Sequence, residues 1–372
     1  MSGIHFQVTV DRRKVLFLIP SLAGGGAERV FSILLCHLDR SRFEPHLAIL
    51  QAHGAYMRDI PPDVAVHNLN VSRVRYALPR IVRLVWKIRP QSLISTLGHL
   101  NLALSVATPF LPSGTRLLVR EAAIASAALL DESAHPQFSI WLYRHLYRRA
   151  DAVICLSDSM KNDMIVNFSL PPEKLVRIYN PVDIRRVRAA SEIGKNPFCG
   201  PGPNLVAAGR LTREKGFDVL LDAMPAVLER FPKAQLTILG EGPLRADLMK
   251  QAQELGLNEV VTFPGFQPNP WVYLKHADLF VLSSRYEGLP NVILEALALG
   301  TPLVVTDCPG AIREIQDCDE SMVVVPPENS VALAEGIIAA CSRPSRSQMV
   351  KSQLSLSKFD LNRIVGEYSA LF

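Results

Sequence analysis

The sequence predicts an α/β protein of two doubly wound parallel-sheet domains facing each other across a cleft. Three observations carry this. Short apolar runs alternate with amphipathic segments along nearly the whole chain, the pattern of parallel strands covered by helices on both faces. The alternation breaks once, near the middle, and then restarts. Glycine-rich turns follow several of the apolar runs, at the strand ends where ligands bind in such sheets. At 372 residues the chain allows two or three domains.

The elements follow in order. Residues 15–20 form a buried first strand, and Gly24, Gly25 and Gly26 turn the chain into a helix over 27–38. Arg12-Arg13-Lys14 and the apolar residues after it have the outline of an export signal. That apolar stretch is short and runs into Pro20 and the glycines, so a strand is the better reading and export is not expected. Residues 45–51 are a second strand, 79–88 an amphipathic helix, and 92–96, 117–120 and 152–156 further strands. From 180 to 203 the periodicity is lost while Pro, Gly, Arg and Lys collect. This marks a linker over 181–203 between a first Rossmann-like domain at 1–180 and a second at 204–355. In the second, 204–208, 235–240, 260–263, 279–283 and 302–306 are strands and 216–229 is a helix. The final segment, 356–372, carries an amphipathic helix at 361–371 that is expected to pack back onto the first domain.

Composition narrows the function. Hydrophobic residues make up 48% and the mean hydropathy is +0.17, as for a well-buried globular protein. No run reaches the roughly 18 apolar residues of a membrane span. Cys36, Cys155, Cys199, Cys308, Cys318 and Cys341 show no CxxC spacing, which argues against zinc and a disulfide framework and fits a reducing cytosol. Charge is uneven: residues 1–190 hold 24 Lys and Arg against 14 Asp and Glu, whereas 191–372 hold 16 against 21. A basic first half suits a nucleic acid, an anionic membrane surface or a phosphorylated acceptor.

The chemistry concentrates in the second half. Glu287 and Glu295 stand eight positions apart in the run Tyr286-Glu287-Gly288-Leu289-Pro290-Asn291-Val292-Ile293-Leu294-Glu295. Gly288 opens a turn and Pro290 suits the start of a helix. One carboxylate therefore precedes the helix and the other lies about a turn and a half inside it, with loop amides and the positive helix end between them. Phosphate fits the middle and sugar hydroxyls fit the two carboxylates, which describes a nucleotide-activated sugar. Gly209-Arg210-Leu211-Thr212-Arg213-Glu214-Lys215-Gly216 joins a strand to a helix. Arg210 and Lys215 can neutralise a departing diphosphate, where one well-placed donor contributes about 2.7–4 kcal/mol.

Other motifs carry less. Gly240-Glu241-Gly242-Pro243 ends a strand with glycines that let backbone approach a ligand. Gly24-Gly25-Gly26-Ala27-Glu28 has the form of a phosphate-cradling loop. A dinucleotide fingerprint needs glycine where Arg29 stands and an acid at the end of the second strand, so an NAD enzyme is disfavoured. Asp317-Cys318-Asp319 spells DxD but reads as a surface turn, and no metal is expected. His99, beside Leu97, Leu100 and Leu102, reads more readily as a packed residue than a catalytic one.

Together these motifs resemble the retaining glycosyltransferases of the GT-B fold, family GT4, also called glycosyltransferases group 1. Gly300-Thr301-Pro302, Thr306-Asp307, Arg313-Glu314 and Asn180-Pro181-Val182-Asp183 match the same pattern. The resemblance implies that Glu295 binds the donor ribose and Glu287 the transferred sugar. The turn from Gly288 through Leu289, Pro290 and Asn291 to Val292 would hold the sugar and phosphates with its amides. Arg210 and Lys215 would meet the diphosphate, Gly26 and Gly240 would border the donor, and Phe266 and Gln267 would lie near the base. Gly24, Gly25, His99, Arg120 and Glu121 would form the acceptor side. Many relatives carry a histidine where Arg120-Glu121 stands here, a departure shared with a subset acting on lipid-linked oligosaccharides.

The expectation is a metal-independent, cofactor-free enzyme on the inner face of the cytoplasmic membrane. It would move a hexose or N-acetylhexosamine from a nucleotide diphosphate sugar, UDP rather than GDP, to a growing glycan. The acceptor would be a polyprenyl-diphosphate-linked glycan in surface polysaccharide assembly, and nucleic acid is not a partner. Arg80, Arg83 and Lys87 beside Trp86 suit either anionic lipid or a plain solvated helix. A nucleotide-sugar epimerase or hydrolase, or a non-catalytic sugar-nucleotide-binding subunit, would use the same architecture.

Overall fold

The computed structural model describes residues 12–343 and 355–372. The first sheet contains β1 (Arg13–Ile19), β2 (Phe43–Ile49), β3 (Ala65–Asn68), β4 (Ser92–Thr96), β5 (Arg116–Arg120), β6 (Ala152–Cys155) and β7 (Leu175–Arg177). They lie in the order β3-β2-β1-β4-β5-β6-β7, every pairing parallel. The second contains β8 (Asn204–Ala208), β9 (Gln235–Leu239), β10 (Val261–Gly265), β11 (Leu279–Leu282), β12 (Leu303–Thr306) and β13 (Val323–Val325). Its order is β10-β9-β8-β11-β12-β13, again all parallel. Helices cover both faces, so the inner strands are largely apolar rather than alternating. Val15, Leu16, Phe17, Leu18 and Ile19 have no exposed surface.

This topology decides where a ligand can bind. In each sheet the strand order reverses beside the domain's first strand, between β1 and β4 and between β8 and β11. A crevice opens at the carboxyl ends of strands at such a switch point. The segments leaving β1, β8 and β11 carry Gly24–Gly26, Arg210–Lys215 and Glu287, and His99 opens the helix that follows β4.

Several elements differ from the sequence reading. The helix expected from Pro79 begins at Val74 and keeps Pro79 inside it. The carbonyl that Pro79 leaves without a donor belongs to Arg75, which is exposed and can turn to water. β2 starts at Phe43 and includes Pro45. Its partner β3 reaches only from His46 onward, so the missing N–H falls where that side of the strand is open. The stretch from 181 to 203 contains a helix, Ile184–Ser191, capped by the Asp183 side chain accepting from Arg186 N–H at 2.9 Å. It docks on the second domain, where Arg188 Nε donates to the Ala298 carbonyl at 3.0 Å.

The closing helix, Leu361–Leu371, lies against the first sheet. Arg116 Nη1 donates to the Leu371 carbonyl at 2.7 Å, and the Phe372 ring meets Phe17 and Phe43 edge-on at 5.7 and 6.0 Å. The chain therefore crosses between the domains twice, and both crossings meet at Val182, whose N–H donates to the Phe359 carbonyl at 2.9 Å.

Candidate functional site

The second domain supplies one wall of the cleft from two turns that brace each other. Gly216 sits at φ 61°, and a Cβ there would lie 2.1 Å from the Ser283 carbonyl oxygen. Only glycine lets the β8 turn pass this close to the end of β11. Cross-ties then fix the approach. Ser283 Oγ donates to the Lys215 carbonyl at 2.9 Å, and Arg285 N–H to the Glu214 carbonyl at 2.7 Å. Arg285 also grips Asp218 through two bonds of 2.8 and 2.7 Å and donates to the Arg213 carbonyl at 2.7 Å.

This bracing delivers Lys215 to Glu287. Lys215 Nζ and Ser284 Oγ each donate to Glu287 Oε1 at 2.7 Å, and the carboxylate is 7% exposed. Burial alone pulls the Lys215 pKa down, but the adjacent carboxylate more than reverses this and leaves it raised. Lys215 is therefore a fixed cation at the cleft floor. Arg210 stands exposed nearby, and its charge acts on Glu28 and Glu132 across the cleft. Gly240 closes the floor: a Cβ there would lie 1.9 Å from the Gly209 carbonyl oxygen.

Glu295 is on the helix Asn291–Leu299, which Pro290 precedes. It is 4% exposed, and both its oxygens are engaged. Trp271 Nε1 donates to Oε2 at 2.8 Å, while Arg29 of the first domain forms an ion pair with Oε1. The Arg29 guanidinium also lies 4.8 Å from the centre of the Trp271 ring. Burial pushes the Glu295 pKa up against the opposing pull of Arg29 and the Trp271 N–H. Arg29 of the first domain and Trp271 thus hold the Glu295 carboxylate between them.

The facing wall is the Gly24–Gly26 turn. A Cβ on Gly24 would meet the Phe266 ring at 2.8 Å, and Asn291 Nδ2 donates to the Gly26 carbonyl at 3.2 Å. Gly25 is exposed, with the Glu28 carboxylate folded back over it and its pKa raised by burial. Gln267 is tied to the Pro264 carbonyl at 3.0 Å and stands beside Phe266 at the rim. Gly288, Leu289 and Pro290 are buried where the domains touch, and Val292 is half-buried. A Cβ on Gly288 would lie 2.2 Å from the Ala122 carbonyl oxygen, and Ile124 N–H donates to the Glu287 carbonyl at 3.3 Å.

The acceptor-side expectation is corrected for two residues. Arg120 is 1% exposed and Glu121 4%, so neither is open to the cleft. Arg120 donates to Thr96, Asn180 and Tyr368, and Glu121 accepts from Asn101 at 3.0 Å and from Tyr147. Burial pushes the Glu121 pKa up. Both serve the interior, beneath the 122–124 backbone that meets Glu287 and Gly288. His99 is the reverse case: it is exposed on the helix Gly98–Ala107, although the surrounding protein lowers its pKa. Asp317-Cys318-Asp319 closes the helix Ile312–Gln316, and no metal-binding group of three ligands occurs among the described residues.

Some contacts across the cleft carried no sequence signal. Asp131 pairs with Arg213 and accepts from Tyr286 Oη at 3.2 Å. Glu314 accepts from Asp158 N–H at 2.8 Å and from Tyr179 Oη at 2.7 Å, placing a second-domain carboxylate at a first-domain helix N-terminus. Glu314 belongs to the Arg313-Glu314 pair of the family pattern, but its partners come from the first domain.

Both halves of the chain match known protein families. The model of the glycosyl transferases group 1 matches residues 191–354, and that of glycosyltransferase family 4 matches 24–186. The chain is 29% identical over 339 residues, 87% of this chain and 89% of the relative, to the N-acetylgalactosamine-N,N'-diacetylbacillosaminyl-diphospho-undecaprenol 4-alpha-N-acetylgalactosaminyltransferase of Campylobacter jejuni. It is 26% identical to the lipopolysaccharide core biosynthesis glycosyltransferase LpsE of Rhizobium meliloti, over 93% of this chain and 92% of that one. Sucrose-phosphate synthase from Thermosynechococcus elongatus shares the fold with a TM-score of 0.79 at 18% identity, covering 97% of this chain and 98% of that one. Anabaena HepE in complex with UDP-glucose superposes with a TM-score of 0.76 at 19% identity, covering 97% and 100%. With both halves matched and the two parallel sheets in place, the chain belongs to the group 1, or family 4, glycosyltransferases of the GT-B fold.

Proposed function

We propose that the protein is a retaining, metal-independent transferase. It moves a hexose or N-acetylhexosamine from a UDP-sugar to a lipid-linked glycan at an anionic membrane surface. The observation that carries the reading is the joining of Lys215, Glu287, Glu295 and the Gly24–Gly26 turn at two facing switch points. Glu295 takes the ribose hydroxyls in exchange for Arg29, and Glu287 takes hydroxyls of the sugar. Amides of the 288–292 turn line the phosphates, and Arg210 and Lys215 stabilise the diphosphate as its bond to the anomeric carbon breaks. The acceptor oxygen joins that carbon on the same face and passes its proton to the departing phosphate oxygen. This needs a closed, dry cleft rather than a protein base.

Two further features support the acceptor. Relatives include an enzyme named for a diphospho-undecaprenol substrate and one named for lipopolysaccharide core biosynthesis. The first domain also exposes Tyr76, Trp86, Val106, Phe110, Phe138 and Trp141 on neighbouring helices, among Arg75, Arg83, Lys87 and Arg89. Basic and aromatic side chains together suit a lipid headgroup layer. No helix among the described residues is long and apolar enough to cross a membrane.

The test is transfer from labelled UDP-sugars to polyprenyl-diphosphate glycans, with EDTA present and the product's anomeric configuration read by NMR. An α-linked product from an α-configured donor supports the reading. Inverted product, or activity only with metal, contradicts it.

A further inference from the structure

The buried arginine of the first domain is held by neutral hydrogen-bond partners. Arg120 is 1% exposed and makes no ion pair among the described residues. Its partners are all neutral: Thr96 Oγ1 and Tyr368 Oη at 3.1 Å, and Asn180 Oδ1 at 2.5 Å. A guanidinium only donates, so the amide it meets must present its oxygen. Asn180 is itself 2% exposed and cannot turn to water.

That constraint propagates. With Oδ1 held by Arg120, the Asn180 amide nitrogen faces the second domain, where it donates to the Leu289 carbonyl at 3.1 Å and to Asn291 Oδ1 at 2.7 Å. Asn291 then accepts on Oδ1, and its own nitrogen donates to the Gly26 carbonyl at 3.2 Å. The reverse orientation of Asn180 would set its NH2 against the guanidinium and its oxygen against the Leu289 carbonyl. Both amides are therefore polarised in series by one arginine. The chain of bonds runs from Tyr368 on the closing helix, through the domain junction, to the 288–291 turn and the Gly24–Gly26 turn.

We infer that Arg120 is a positioning residue for the transfer reaction. It fixes the hydrogen-bond direction of Asn180 and Asn291 and so holds the donor-facing turn against the glycine turn. This rests on the donor reading of those turns. It also gives Arg120 a task where a cleft histidine would stand in many relatives: it acts from behind the turn and touches no substrate.

Asn180→Asp separates positioning from folding. The carboxylate still accepts from Arg120, now as an ion pair, but cannot donate to Leu289 or Asn291. Steady-state kinetics with varied UDP-sugar, alongside melting curves, should show a folded protein in which the new ion pair with Arg120 partly offsets the two lost bonds in Tm. The donor KM should rise about tenfold or more, as expected for two lost hydrogen bonds, while the acceptor KM stays unchanged. Arg120→Lys should retain more donor affinity than Arg120→Met when the two are compared with Tm measured. An unchanged donor KM in Asn180→Asp, or a loss of kcat that merely follows a loss of Tm, overturns the inference. A wild-type protein that neither binds nor uses any nucleotide sugar overturns the donor reading instead, so the two failures are distinguishable.

Discussion

Replacing Lys215 with methionine tests whether the Lys215–Glu287 pair works for chemistry or for folding. Glu287 is 7% exposed and its Oε1 lies 2.7 Å from Lys215 Nζ, so Lys215→Met leaves a buried carboxylate with Ser284 as its remaining side-chain donor. Removing one member of a buried pair costs about 3–5 kcal/mol. The Lys215 side chain keeps 21% exposure, which places the loss near the lower end, about 3 kcal/mol. For a domain of this size that is a fall in Tm of roughly 6–12 °C. Transfer should fall by about 10²–10³ in kcat if the cation also stabilises the departing diphosphate. The double variant Lys215→Met/Glu287→Gln removes both charges and keeps the bond to Ser284. Melting should recover towards wild type, since a neutral pair of similar shape replaces the ions. Transfer should stay low. Calorimetry and a labelled-sugar assay on the same preparations read both quantities. Transfer that recovers together with Tm would refute the catalytic role, as would a wild-type rate in Lys215→Met.

Further outcomes follow from the same geometry. Arg29→Met should tighten UDP binding severalfold by titration calorimetry, because Arg29 occupies Glu295 in the closed cleft; weaker binding would make Arg29 a donor ligand rather than a competitor. Burial holds the pKa values of His46 and His67, whose rings stack at 5.4 Å, below the ordinary 6.5 despite the Glu44 carboxylate beside His46. The unfolded chain takes up these protons first, so stability should fall as pH drops below about 6.5 and level off beneath the folded values. His46→Leu should flatten that slope in Tm against pH. Trp86→Ser combined with Lys87→Ser should reduce sedimentation with vesicles rich in anionic lipid, without changing turnover on a short soluble acceptor; unchanged sedimentation would remove this helix from the membrane face.

Most of the fold was legible because buried parallel strands must be apolar runs, and the runs at 15–20, 92–96 and 204–208 met that demand. β3 was not, since Ala65, Val66 and Asn68 are exposed at the sheet edge and carry no apolar stripe. The helix Ile184–Ser191 was missed for a similar reason: it is arginine-rich and buries only Val187 and Ser191. The placement of Glu287 before a helix and of Glu295 inside it was readable from spacing, because a turn and a helix fix where nearby residues lie. What joins distant segments was not readable. Arg29 against Glu295 spans 266 positions, and Arg120 against Tyr368 spans 248. The family resemblance put Arg120 on the acceptor side, where many relatives carry a histidine. Three acceptors drawn from β4, the domain junction and the closing helix turned it inward.

The most direct measurement is a binding titration of UDP, GDP and ADP, in EDTA, to the wild-type protein and to Glu295→Ala. Binding of the native state to a ligand also raises Tm, which supplies an independent reading. Saturable binding of UDP by the wild-type protein, weakened at least tenfold in Glu295→Ala, is the expected result. Absence of binding to any of the three nucleotides, or equal affinity in the variant, would contradict the donor site.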